Sequence, residues 1–168
     1  MNFPSRYFGR GFCVRGAIEL DWNLIIYDTV YMLIRAELKT RDLIEAKVDE
    51  QGHVLALNVV ACRACLDLLR SFRNKDPDPR QWVMPEGSSH SELLLREFLL
   101  RLRGQWKRPY LGDEICHCRV VKTETVDQAI LAGAHTTNQV SRATNASTSC
   151  GTCVPDVQDL INYRLHGQ

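Results

Sequence analysis

Seven cysteines are the residues of this 168-residue chain whose type and spacing point to chemistry. Four lie in the last third, where Cys116-His-Cys118 is followed, after thirty-one residues (119–149), by Cys150-Gly-Thr-Cys153. Two close thiol pairs brought together by the intervening fold make a four-sulfur cage. Soft thiolates select zinc, copper(I) or an iron–sulfur cluster over hard cations. In an extended segment residues i and i+2 project to one side, so Cys116 and Cys118 can face a single site with His117 turned away. At a helix start, residues three apart share a face, which lets Cys150 and Cys153 do the same. Free N–H groups and the positive helix end there would donate towards the sulfurs and favour the reduced form of an anionic cluster. Glycine at 151 avoids a side chain that would crowd the cluster. His117 and Arg119 read as solvent-facing or outer groups, because four thiolates already complete such a site.

The elements that must position these thiols follow from periodicity. Thr123 to Gly133 has a polar helix start and a glycine stop, Thr136 to about Asn145 offers a second short helix with Val140 and Ala143 inward, and Cys150 opens a third. Pro155 is tolerated in the first turn of that last helix, whose Val157, Leu160, Ile161 and Leu165 face the core. Gln105 to Asp113, with Pro109 and Gly112, is the best boundary between this part and what precedes it.

Ahead of the boundary, residues 1–16 read as an irregular arm containing Cys13. Leu20, Leu24, Tyr27, Tyr31, Ile34 and Leu38 recur at steps of four and three, which predicts an amphipathic helix. Ile44–Val48 and Val54–Val60 flank Asp49-Glu-Gln-Gly52 and predict a β-hairpin, the second strand the more buried. Cys62, Cys65, Leu66, Leu69 and Phe72 fall on one face of a short helix ending before Asn74. Residues 74–90 have the composition of a loop. Ser89-x-x-Glu92 resembles a capping box, followed by a helix from about Ser91 to Arg103 with a stripe of Leu95, Phe98, Leu99 and Leu102. Arg96, Arg101, Arg103, Lys107 and Arg108 read as a solvated helix face, or as a surface for an acidic redox partner. Cys62 and Cys65 have two readings: small core residues on the apolar side of a helix, or, with Cys13 as third ligand, a transient iron or cluster site.

Cys116-x-Cys118 and Cys150-Gly-x-Cys153-x-Pro are joined by a segment containing Val121, Ala129-Ile130, Gly133-Ala134, the run Gln139 to Thr144, and Ala146. From about Glu114 to Leu165 the chain thereby resembles the bacterioferritin-associated-ferredoxin-like (BFD-like) [2Fe-2S]-binding domain. The resemblance implies a compact helix-turn-helix unit binding one [2Fe-2S] cluster near its surface, with Cys116, Cys118, Cys150 and Cys153 as ligands. Members of that family occur as a small ferredoxin serving bacterioferritin, as the central module of the scaffold protein NifU, and within nitrite reductases and other redox enzymes. Upstream, Val48-Asp-Glu-Gln-Gly-His-Val54 through Ala61-Cys62-Arg-Ala-Cys65-Leu-Asp-Leu-Leu69 resembles the strand, strand, cysteine, helix passage of NifU- and IscU-type iron–sulfur scaffold domains. In NifU such a domain precedes a ferredoxin-like module.

The expectation is therefore an α+β front domain at 1–110 (helix, β-hairpin, helices) followed by a small all-α [2Fe-2S] module at 111–168. Lys and Arg number 21 against 20 Asp and Glu, so phosphate neutralisation does not drive general nucleic-acid binding. Arg142 is the one strong base or phosphate contact on the Thr136–Asn145 helix. The chain has no signal-peptide core or membrane-length apolar run, which points to the cytoplasm, where clustered cysteines mean metal or redox chemistry. No catalytic triad, nucleotide loop or acid–base pair stands out, so the expectation is an accessory protein rather than an enzyme. It would be a NifU-like assembly or transfer factor, or a ferredoxin-like electron donor, working on a redox or iron–sulfur assembly partner, and a homodimer is compatible with this. The alternative is a structural zinc-binding interaction or regulatory module.

Overall fold

The computed structural model describes residues 31–167. The mixed α+β character is as expected, but the first described element is a strand. Met32–Leu38 (β1) pairs antiparallel with Asp42–Val48 (β2), which in turn pairs with Val54–Val60 (β3), giving the sheet order β1-β2-β3. The expected helix over Leu20–Leu38 is thus corrected in its last turns, while residues 20–30 lie outside the described residues. Spacings of three and four at Tyr31, Ile34 and Leu38 fit a helix, yet Ile34, Ala36 and Leu38 also alternate. Ladder pairing of Ile34 with Ala46 and Ala36 with Ile44 decides for the strand.

The hairpin joining β2 to β3 turns at Asp49–Gly52, where Gly52 has φ +83°. Its burial is the reverse of expectation. β2 is the central strand and buries Asp42, Ile44, Ala46 and Val48, whereas no residue of the edge strand β3 is fully buried. Val54–Val60 is rich in apolar residues, but as an edge strand it has one neighbour where β2 has two, and position in the sheet sets burial.

Arg63–Lys75 (α1) follows, with Cys62 at its N-cap and Cys65 and Leu69 buried. His90–Leu102 (α2) starts at the expected capping box: Ser89 Oγ accepts from the Glu92 N–H and Glu92 Oε2 accepts from the Ser89 N–H. Leu93, Leu94 and Leu95 occupy three successive positions and so cannot share one stripe; all three are buried, and α2 contacts β1, β2 and α1.

The C-terminal part contains Glu114–Cys116 (β4), Val121–Lys122 (β5), Thr123–Leu131 (α3), Thr137–Thr144 (α4) and Val154–His166 (α5). The expected all-α module omitted the short β4–β5 ribbon, which pairs Glu114 with Lys122 and Cys116 with Val121 across the turn that carries Cys118. Ile115, Val126, Ile130, Val140, Val157, Leu160 and Ile161 fill this core.

A buried ionic cluster ties this part to α2. Arg164 of α5 donates through Nε and Nη2 to both oxygens of Asp127 at 2.6 Å and through Nη1 to Glu97 Oε2. All three side chains are at most 5% exposed. Arg96 reaches the Arg164 carbonyl at 3.0 Å and those of Pro85 and Gly87. Arg103 donates to the Arg80 and Trp82 carbonyls, Arg101 to Glu97, and Arg108 pairs with Glu124 and Asp127. The solvated or partner-docking reading is therefore corrected for Arg96 and Arg103, whose donors satisfy internal carbonyls, and for Arg101, which bonds the buried Glu97, while Arg108 is part-buried in ion pairs with Asp127 and the more exposed Glu124. Of the set, Lys107 has an exposed side chain, and its backbone N–H donates to Tyr163 Oη.

Candidate metal centre

Ribbon, loop and helix start bring the C-terminal thiols together. Cys116 ends β4 and is buried, while Cys118 sits in the turn His117–Val120 and is exposed. Their sulfurs are 3.7 Å apart, so the turn achieves what an extended segment was expected to do. Cys150, expected to open the last helix, instead lies in the loop ahead of it; its Sγ, also exposed, is 3.5 Å from Cys118 Sγ. Cys153 is buried at the N-cap of α5, with its sulfur 3.2 Å from Ser147 Oγ. Sulfurs sharing a tetrahedral ion at about 2.3 Å stand roughly 3.8 Å apart, so these contacts suit a thiolate-bound metal.

The loop from α4 to α5 is held in an unusual backbone path. Asn145, Ser147 and Gly151 have φ of +65°, +62° and +75°. A Cβ on Gly151 would meet no protein atom within 4 Å, so within the chain itself the glycine answers to its left-handed backbone rather than to crowding. Hydrogen bonds from the Thr152 side chain and backbone pull the Cys150 thiol down to about 7, which favours the ligating thiolate near neutrality. The sequence reading missed Ser147 and Thr152, although hydroxyl residues at 147, 148, 149 and 152 crowd around Cys150. His117 is 79% exposed, with Nδ1 3.7 Å from Glu114 Oε2, and Arg119 is exposed as well.

Residues 114–163 match the BFD-like [2Fe-2S] binding domain. The C-terminal part is therefore a [2Fe-2S]-binding domain of the BFD-like kind, and its match spans both thiol pairs. No curated protein and no solved structure matches the chain. Four thiols, three of them in a contacting row and two at the surface, fit a group whose iron is held by cysteine thiolates. Beside the BFD-like domain's cysteine turn runs an open groove of about 770 Å³ bordered by Arg119, Val120, Lys122, Thr125, Asn145 and Thr148. Val120 stands at φ +53° and is 69% exposed, an unusual conformation for a β-branched residue.

In the front part, Cys62 and Cys65 separate. Cys65 is fully buried against the sheet, and burial, with the charges of Asp42 and Cys62 adding to it, pushes its thiol up to about 11. It is the small core residue that one reading expected. Cys62 instead faces His90, with Sγ 3.2 Å from Nε2, and its backbone N–H donates to Asp42 Oδ1 at 2.6 Å. Cys13 lies outside the described residues. Sequence reasoning missed Asp42 and His90, which lie twenty residues before and twenty-eight after Cys62 with no motif linking them.

Among the described residues no helix is long and apolar enough to cross a membrane.

Proposed function

We propose that the chain is an accessory protein of iron–sulfur metabolism that holds one [2Fe-2S] cluster on Cys116, Cys118, Cys150 and Cys153 and serves a protein partner, with no substrate chemistry of its own. The observation that carries this is the exposure of Cys118 and Cys150 within a BFD-like domain. Such a cluster, when bound, supplies one-electron chemistry. Cys116 and Cys153 anchor it from the core side. Cys118 and Cys150 form the rim nearest a partner, and Arg119, Val120 and Lys122 beside them offer two cations and an apolar contact for docking.

Delivery of electrons and delivery of the cluster itself share this geometry. The exposed rim favours both, and the order of a front domain before a ferredoxin-like module is also that of NifU. An electron donor retains its iron through repeated reduction and reoxidation; a transfer protein loses it to an apo-ferredoxin.

The test is anaerobic absorption spectroscopy with iron, sulfide and zinc analysis. The expected result is about two irons and two sulfides per chain with bands that bleach on reduction. Cys118→Ser and Cys150→Ser should lose most of the iron while retaining native far-ultraviolet circular dichroism. A colourless protein with zinc on four sulfurs would overturn the reading in favour of a structural zinc module.

A further inference from the structure

Thr144, Ser147 and Thr148, at the end of α4 and in the loop to α5, send their hydroxyls to different places. Thr144 Oγ1 donates to the Val140 carbonyl and Thr148 Oγ1 to the Asn145 carbonyl, both at 2.8 Å, as short polar side chains near turns commonly do. Ser147 turns instead to sulfur, and its Oγ stands 3.2 Å from Cys153 Sγ. Holding that contact strains the backbone. Ser147 has φ +62°, in the left-handed region that disfavours any residue with a Cβ and suits glycine. Asn145, at φ +65°, has a local reason for the same conformation, because it ends α4 as a left-handed cap. Ser147 lies between that cap and Cys153, the N-cap of α5, and caps neither helix. Glycine at 147 would relax the chain; what it would lack is the hydroxyl on Cys153.

Ligation of the sulfur fixes the direction of this bond. Either partner can donate while Cys153 is a thiol, but a ligand thiolate has no proton, so the hydroxyl donates and the sulfur accepts. Cys153 is 6% exposed, so water competes little for its sulfur, whereas Cys118 and Cys150 meet solvent. The positive end of α5, which Cys153 begins, acts in the same sense as the hydroxyl by favouring negative charge there.

We propose that Ser147 sets the reduction potential of the [2Fe-2S] site, its O–H donating to the Cys153 thiolate and stabilising the reduced cluster over the oxidised one. Its role rests on the cluster reading of the same four cysteines. Reduction adds one negative charge to a group already held by thiolates, so a donor on one of those sulfurs is worth more after reduction than before. The potential is therefore higher with the hydroxyl than without it. A serine kept only for the shape of the loop would behave otherwise: replacing it by glycine would relax the backbone and leave the potential where it was.

The test compares the full chain with Ser147→Gly, Ser147→Ala and Ser147→Thr by iron and sulfide content, midpoint potential and urea unfolding. Ser147→Gly and Ser147→Ala should keep about two irons and two sulfides and show equal falls in midpoint potential, beyond the scatter of repeated titrations. Ser147→Gly should unfold at higher urea than Ser147→Ala, since glycine alone is relaxed at this φ. Ser147→Thr keeps a hydroxyl on a stiffer, β-branched residue, so its potential should stay close to that of the unchanged chain while its stability falls. Should Ser147→Thr fail to fold, the glycine and alanine variants still decide. An unmoved potential in Ser147→Gly with its cluster intact would overturn the role of Ser147 and leave the cluster reading standing. Loss of the cluster from Ser147→Gly would make the serine a structural support instead and overturn the role as well. An unchanged chain that holds zinc and no iron would overturn both.

Discussion

The two thiol-bearing regions place their cysteines in opposite ways. In the C-terminal region all four cysteines come from two short segments, and two of them remain exposed. In the front region one cysteine is joined by a buried aspartate and a histidine from separate elements, while its sequence neighbour Cys65 is lost to the core. Local sequence thus marks the C-terminal thiols, whereas the surroundings of Cys62 form only where the sheet and two helix starts meet.

Arg164 makes the most buried of the contacts that tie the two regions together. Arg164→Met leaves Glu97 and Asp127 buried with fewer cations, and a broken buried pair of this kind costs about 3–5 kcal/mol. The expected outcome is the largest stability loss of this set, with a single cooperative urea transition splitting into two. Trp82, in the front core, would follow that part alone, while circular dichroism, with helices in both parts, would show both transitions. A single unshifted transition would show that the two cores do not depend on this contact.

Gly151→Ala addresses the C-terminal site alone. Placing a Cβ at φ +75° costs on the order of 1 kcal/mol, and no protein atom obstructs it. The chain should lose that much stability and keep its iron. Iron lost at intact stability would mean that space beside the sulfurs, not backbone conformation, requires the glycine.

The smallest expected effect is a pH dependence. Burial raises the Tyr163 phenol above its ordinary value, with the Lys107 N–H bond partly opposing it. The folded chain then holds this proton more tightly than the unfolded one. Its contribution is intact below about pH 10 and is lost as pH rises through the higher folded value. Urea unfolding at rising alkaline pH should show stability falling, and Tyr163→Phe should flatten the slope. An unchanged slope would assign it to other groups.

Much of the C-terminal region was legible in advance. Most helix starts and stops, the inward positions Val140, Val157, Leu160 and Ile161, and the paired cysteines are encoded within a few residues of one another, although Ala143, expected inward, is exposed and Thr144 is buried in its place. The front region was less so. Tyr31, Ile34 and Leu38 satisfied a helical period as well as a strand's alternation, and β3 looked more buried than it is because its neighbours in the sheet were unknown. The basic residues of α2 were misjudged for a related reason: Arg96 and Glu97 look solvent-facing until Arg164, sixty-seven residues beyond Glu97, is placed against them.

By itself the sequence determined the local terms: thiol spacing, the capping box, the hairpin turn and the periodicity of α3 to α5. These depend on covalent reach and neighbouring side chains. Tertiary structure alone decided which strand is central, which arginines are buried, and that Asp42 and His90 meet Cys62. Burial and side-chain convergence depend on elements far apart in the chain, and until those elements pack, an aspartate beginning a strand and a histidine beginning a helix carry no mark of each other.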